Sequence, residues 1–156
     1  MTTARNLLLL CVAIAAMVLP ASAAPPEFRP GPSWHQGADG FERAVEEARR
    51  LQRPLFVYFR TDWCPYCKQF EEGLLASKEV KRYVDDIVKV TINPELGPEE
   101  NRIASTYGVR GFPAIFMHPP VLGEPRQVRR TVMRNGKVGL QTPDEFIETL
   151  ARAITQ

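Results

Sequence analysis

The sequence predicts an α/β sandwich, a central mixed β-sheet flanked by helices. Helical and strand patterns alternate along the chain. The run Leu55–Arg60 is almost wholly apolar or aromatic, as a strand buried on both faces requires. A final amphipathic helix opens at Thr142, with Pro143 as its first residue and Glu145 as box partner.

The first stretch reads as a leader rather than as part of that domain. Arg5, an uncharged apolar run from Leu7 to Leu19, Pro20 and Ala21-Ser22-Ala23 follow the order of a secretory signal. The run is short of the roughly 20 residues that span a bilayer. Residues 1–23 are therefore expected to be cleaved, which leaves enough chain for one core. Residues 24–37, with Pro25, Pro26, Pro30 and Pro32, read as a Pro-rich arm that Trp34 pins to a domain over 38–156.

Phe41, Ala44, Val45, Ala48 and Leu51 have helical spacing over 40–52, and Asp39 with Glu42 resembles a capping box. After the strand at 55–60, Pro65 suits a first helical turn. Phe70, Leu74 and Leu75 give that helix its inner face. Gly73 weakens it, and Ser77 caps a continuation through Tyr83. Ile87–Asn93 is the next strand. Pro98 and Glu99 open a helix that ends near Tyr107, with Gly108 as a left-handed stop. Ala114–Met117 is the third strand, Gln127–Met133 the fourth, and Asn135-Gly136 a turn. The crossover helices make the first two strands parallel, and the last two can pair antiparallel.

The formal net charge of +2 gives no electrostatic case for nucleic acid or a membrane surface. Arg126, Arg129, Arg130 and Arg134 read as a solvated strand face. The cysteines say more. Cys11 leaves with the leader, and only Cys64 and Cys67 remain. A bridge between them closes a very small loop and stabilises little, so chemistry explains the pair better than stability does. Three residues along a helix rise about 4.5 Å, within reach of the about 4.4–6.8 Å between disulfide Cα atoms. Cys64, just before the helix, meets unpaired N–H groups that favour a thiolate. Cys67, one turn in, is the resolving thiol of an exchange cycle. A structural zinc site would need four ligands; His35 and His118 lack the spacing. Haem attachment would need His where Lys68 stands. A merely structural pair stays open at this point.

Trp63-Cys64-Pro65-Tyr66-Cys67-Lys68 after an apolar strand resembles the thioredoxin active site. Val109-Arg110-Gly111-Phe112-Pro113 resembles the loop that carries that superfamily's cis-proline. The likeness covers about residues 38–154. Arg53–Phe59 and Phe70-Glu71-Glu72 are most similar to periplasmic thioredoxin-like domains, including the C-terminal domain of the membrane thiol-disulfide interchange protein. The resemblance implies a thioredoxin-like fold and a thiol-disulfide oxidoreductase with Cys64 and Cys67 as catalytic pair. It implies Trp63, Pro65, Tyr66, Phe112 and cis-Pro113 as substrate-binding residues. It also implies a periplasmic monomer that acts on protein thiols and disulfides, recharged by a membrane electron donor, with no metal or other cofactor beyond the redox-active disulfide. A disulfide-donating oxidase and a non-catalytic binding module are the alternatives. One departure stands out: Tyr58 occupies the position of the family's buried acid. Lys89, near that acid in the family, is expected in solvent, and a solvated helix face accounts for Glu71 and Glu72.

Overall fold

The computed structural model describes residues 31 and 33–155. The expected leader over 1–23 and the start of the arm lie outside them. The elements in order are β1 (Trp34–Gln36), α1 (Gly37–Leu51), β2 (Leu55–Phe59) and α2 (Pro65–Phe70). A π-helical turn, Glu71–Leu75, continues α2. There follow α3 (Lys78–Val84), β3 (Val88–Ile92), α4 (Pro98–Thr106), β4 (Ala114–His118) and β5 (Arg126–Gln127). A hairpin of β6 (Thr131–Arg134) and β7 (Lys137–Leu140) precedes α5 (Pro143–Thr155).

Strands β1 to β5 form one sheet in the order β1-β3-β2-β4-β5. Strand β3 runs parallel to both β1 and β2, whereas β4 is antiparallel to β2 and to β5. The alternation of strand side chains splits the core into two layers. Phe56, Tyr58, Ile115 and Met117 face Phe70, Leu74, Val80, Phe146 and Leu150. Leu55, Val57, Phe59 and Phe116 face Ala44, Ala48, Ile103 and Ala104. Each such Phe, Leu or Ile side chain, once buried, contributes about 1.5–3 kcal/mol.

Several expectations hold at atomic detail. Ser77 accepts from the N–H of Val80. Thr142 and Glu145 form a reciprocal box, each accepting from the other's N–H. Gly108 (φ 64°) ends the turn after α4, and Asn135 and Gly136 have the positive φ angles of a tight hairpin turn.

Others are corrected. The arm expected over 24–37 ends inside the sheet: Trp34 is a β1 residue and packs edge-on against Phe56 at 5.7 Å. Helix α1 begins at Gly37, and no side chain of its own caps it. Glu100 of α4 instead accepts from the N–H of Ala38, so the cap comes from across the fold. The strand expected over 127–133 is two. Arg126–Gln127 pairs with β4, and Thr131 onward leaves the sheet to pair with β7.

His118 ends β4 in a defined protonation state. A carbonyl can only accept, so Nδ1 donates to Gly123 O at 2.9 Å. Nε2 then accepts from the Tyr107 hydroxyl at 2.6 Å. Burial holds the ring below the ordinary histidine range. The unfolded chain therefore binds this proton first on acidification, and stability is lost as pH falls below about 6.5. Urea denaturation at pH 7.5 and 5.5 is expected to show that loss, with a shallower pH slope in His118→Gln. An unchanged slope in the variant would remove His118 from the account.

Candidate active site

Strand β2 ends at Phe59, and a short turn carries the chain to Cys64, whose N–H donates to Thr61 O at 3.3 Å. Pro65 then opens α2, where a missing N–H costs no helical bond. Cys64 occupies the capping position, and its Sγ accepts from the Cys67 N–H at 3.1 Å. Cys64 and Cys67 are joined by a disulfide with Cα atoms 5.2 Å apart. Both are buried, Cys64 slightly less than Cys67. A donor aimed at the first sulfur, with the second sulfur one turn deeper, suits a nucleophile and its resolving partner.

The antiparallel register pairs Phe59 with Ala114. That pairing brings the segment before β4 alongside the end of β2, where the cysteine turn begins. The segment is Phe112-Pro113, and its peptide bond is cis. Pro113 is buried, whereas Phe112 is partly exposed and packs on the α1/α4 layer. Trp63 and Tyr66, on either side of the first cysteine turn, are 67% and 60% exposed. The exposed Trp63 indole N–H donates to the Glu95 carboxylate at 2.9 Å.

The polar groups beneath the site were not foreseen. Glu71 is 3% exposed, not on a solvated face. Its Oε1 accepts from the Tyr58 hydroxyl and from Arg60 Nε, both at 2.8 Å. Burial pushes the Glu71 carboxyl up, and the Tyr58 and Arg60 bonds offset this only in part. The Tyr58 hydroxyl is raised beyond the ordinary tyrosine range by burial and by the Glu71 charge. Tyr58 therefore does not leave the acid position apolar; it reaches a carboxylate supplied by the next helix. Lys89 is also corrected: it is 3% exposed, and its ammonium donates to Val84 O and Ile87 O at the end of α3. Burial lowers its proton affinity, but those two carbonyls, not a cysteine, are its partners.

The arginine cluster is only partly a solvated face. Arg126 donates to Ala153 O at the end of α5, and Arg130 donates to Pro113 O at 3.4 Å. The clue for Glu71 was available in the sequence: it stands four residues after Cys67, so both share one helix face.

A disulfide at a helix start, set against a cis-proline strand, defines a thiol-disulfide oxidoreductase of thioredoxin fold. The thioredoxin-like family matches residues 33–120, and the chain belongs to it. Among solved structures, the chain is similar to a thioredoxin from Thermus thermophilus, at 25% identity over 76% of this chain and 84% of that one, with a TM-score of 0.57. The reduced C-terminal domain of DsbD from Neisseria meningitidis shares the fold at 24% identity, 75% and 98% coverage and TM-score 0.60. A DsbH oxidoreductase does so at 18% identity over 97% of this chain and 94% of that one, with TM-score 0.55. No curated protein matches the chain. Among the described residues, no cluster of His, Cys, Asp and Glu could hold a metal ion, and no helix is long and apolar enough to cross a membrane.

Breaking the buried pair should be costly, because it leaves an uncompensated charge. Arg60→Met is expected to lower stability at pH 7 by about 3 kcal/mol, and Tyr58→Phe by about 1 kcal/mol. The Arg60→Met deficit should shrink as pH falls and the stranded Glu71 takes up a proton. Urea denaturation at pH 7 and 4.5 measures both; equal deficits at the two pH values would contradict the assignment.

Proposed function

We propose that the protein is an exported enzyme that reduces or exchanges protein disulfides through Cys64 and Cys67. The observation that carries this reading is the Cys64 sulfur, bonded to Cys67 while it accepts the Cys67 N–H at the start of α2. In the dithiol state, the same N–H would face a Cys64 thiolate and favour it.

The Cys64 thiolate attacks one sulfur of a client disulfide. An S–S bond forms between enzyme and client, and the client's other sulfur leaves as a thiolate that takes a proton. Cys67 then loses its proton and attacks the Cys64 sulfur. The Cys64–Cys67 bond forms and the client's second thiolate leaves. Two electrons pass from the enzyme dithiol to the client, and a dithiol donor, in this reading membrane-bound, restores the enzyme. Glu71 lies one helical turn beyond Cys67 on the same face, and its raised proton affinity suits it to take the Cys67 proton. Cis-Pro113 and Phe112 would present backbone to the client segment, while Trp63, Pro65 and Tyr66 would contact its side chains. The leader-like residues 1–23 support export, and the likeness to DsbD and DsbH supports a periplasmic setting. The mature enzyme acts as a monomer with no other cofactor.

Dithiothreitol-driven reduction of insulin tests the cycle. Cys64→Ser should abolish it. Cys67→Ser should accumulate a mixed disulfide through Cys64, and Glu71→Gln should slow client release without slowing the first attack. Full activity in Cys64→Ser would refute the mechanism.

A further inference from the structure

The β6–β7 hairpin lies beyond the residues the thioredoxin-like family matches, and its two strands pair with each other but not with the main sheet. An isolated two-stranded hairpin is marginal in water, so its attachment matters. Gln141 N–H donates to Arg130 O at 2.9 Å and closes its base. Leu140 packs onto the core layer of Phe70 and Leu74 and lies over Gly73, where an added Cβ would come within 2.9 Å of it. Arg130, immediately before β6, donates to the carbonyl of cis-Pro113, and the Tyr66 hydroxyl lies within its electrostatic reach. The hairpin is therefore rooted between the strand that follows cis-Pro113 and the π-helical turn that continues α2.

Its register decides what it presents. Thr131 pairs with Leu140 and Met133 with Val138, so these four side chains share one face. Leu140 anchors that face to the body. Met133 and Val138 lie two residues further out, about 7 Å along the strands, and are 63% and 68% exposed. The charge around them is one-sided. Residues 126–140 contain Arg126, Arg129, Arg130, Arg134 and Lys137 and no acidic residue. Arg126 and Arg130 are held by backbone carbonyls and Arg134 by Glu145. Arg129 and Lys137 are exposed, with no ion pair among the described residues.

We propose that the hairpin is a second docking surface for the disulfide client. It binds an extended client segment, beside the cysteine under attack, that carries an apolar side chain and Asp or Glu. Met133 and Val138 cover the apolar side chain on one face. Arg129 at the base of the hairpin and Lys137, whose strand position points to the opposite face beside Val138, flank it and meet the carboxylates. Continuity with the cis-proline strand through Arg130 places this segment next to the sulfur chemistry, and the unneutralised positive charge selects acidic partners. The proposal rests on the exchange activity described above and adds client preference to it.

The test compares the full mature chain with Met133→Ser/Val138→Ser and with Arg129→Glu/Lys137→Glu. Three probes are reduced: 2-hydroxyethyl disulfide, a disulfide peptide with Leu and Glu flanking its cysteine, and the same peptide with Gln for Glu. Wild type should favour the Glu peptide. Each variant should raise KM for it by about tenfold with little change in kcat. The Arg129→Glu/Lys137→Glu variant should lose the preference for Glu over Gln, and 2-hydroxyethyl disulfide should react equally with all three proteins. Unchanged KM in both variants, with the small disulfide still reduced, would overturn the docking surface and leave the exchange activity standing. If wild type reduces none of the probes, both readings fall. If the apolar pair instead seals a dimer, sedimentation would show dissociation in the serine variant, and that result also overturns the proposal.

Discussion

Strand β2 is hydrogen-bonded on both sides and buried on both faces, and the cysteine site hangs from it. Its parallel partner β3 and antiparallel partner β4 fix where its last residue falls. The pairing of Phe59 with Ala114 sets the start of β4, and hence the cis bond at Pro113, beside the turn that leads to Cys64. A slip of one residue would turn every β2 side chain to the opposite layer. Tyr58 would then lose Glu71, and Phe59 would leave the α1/α4 side. Core packing on two faces thus keeps a cysteine turn and a proline loop, distant in sequence, in one place.

The same strand carries polar groups into that core. Glu71 is a buried acid with two short hydrogen bonds, and neither donor lies on its own helix. Tyr58 and Arg60 come from β2 and the residue after its end, so the network ties the strand to the helix that bears Cys67. A buried ion pair is weak evidence for stability in itself. Here it has a second consequence: a carboxylate with raised proton affinity sits one turn beyond Cys67. The π-helical turn starts at Glu71 and spans Gly73. Leu140 also lies over Gly73, so the hairpin root and the helix irregularity occur together.

The fold was legible in the sequence wherever local chemistry decides it. Ser77, Thr142, Pro143, Gly108 and Asn135-Gly136 signal caps and turns through their own bonding, and the structure uses each as such. The cysteine pair was legible because helix geometry and motif resemblance agree on it, and the cis-proline was legible from the resemblance alone. What was missed depends on partners far away in sequence. The cap of α1 comes from Glu100, which no local pattern around residue 37 reveals. Trp34 looks like part of a Pro-rich arm until β3 is present to pair with it. Glu71 and Lys89 were placed in solvent because charged side chains usually lie there. Each is buried because a specific oxygen or donor awaits it: Tyr58 and Arg60 for one, Val84 O and Ile87 O for the other. The split of the fourth strand has a different origin, since β6 leaves the sheet for a local partner, β7, across the Asn135-Gly136 turn.

The reduction potential of the Cys64–Cys67 pair tests the central claim most directly. The protein would be equilibrated in graded dithiothreitol and glutathione buffers and followed by the fluorescence of Trp63, which adjoins the disulfide in sequence. A single two-electron transition near the thioredoxin value of about −270 mV is the result expected of an enzyme that reduces or exchanges protein disulfides. A transition toward about −120 mV would make the protein a disulfide donor and contradict the reductive direction.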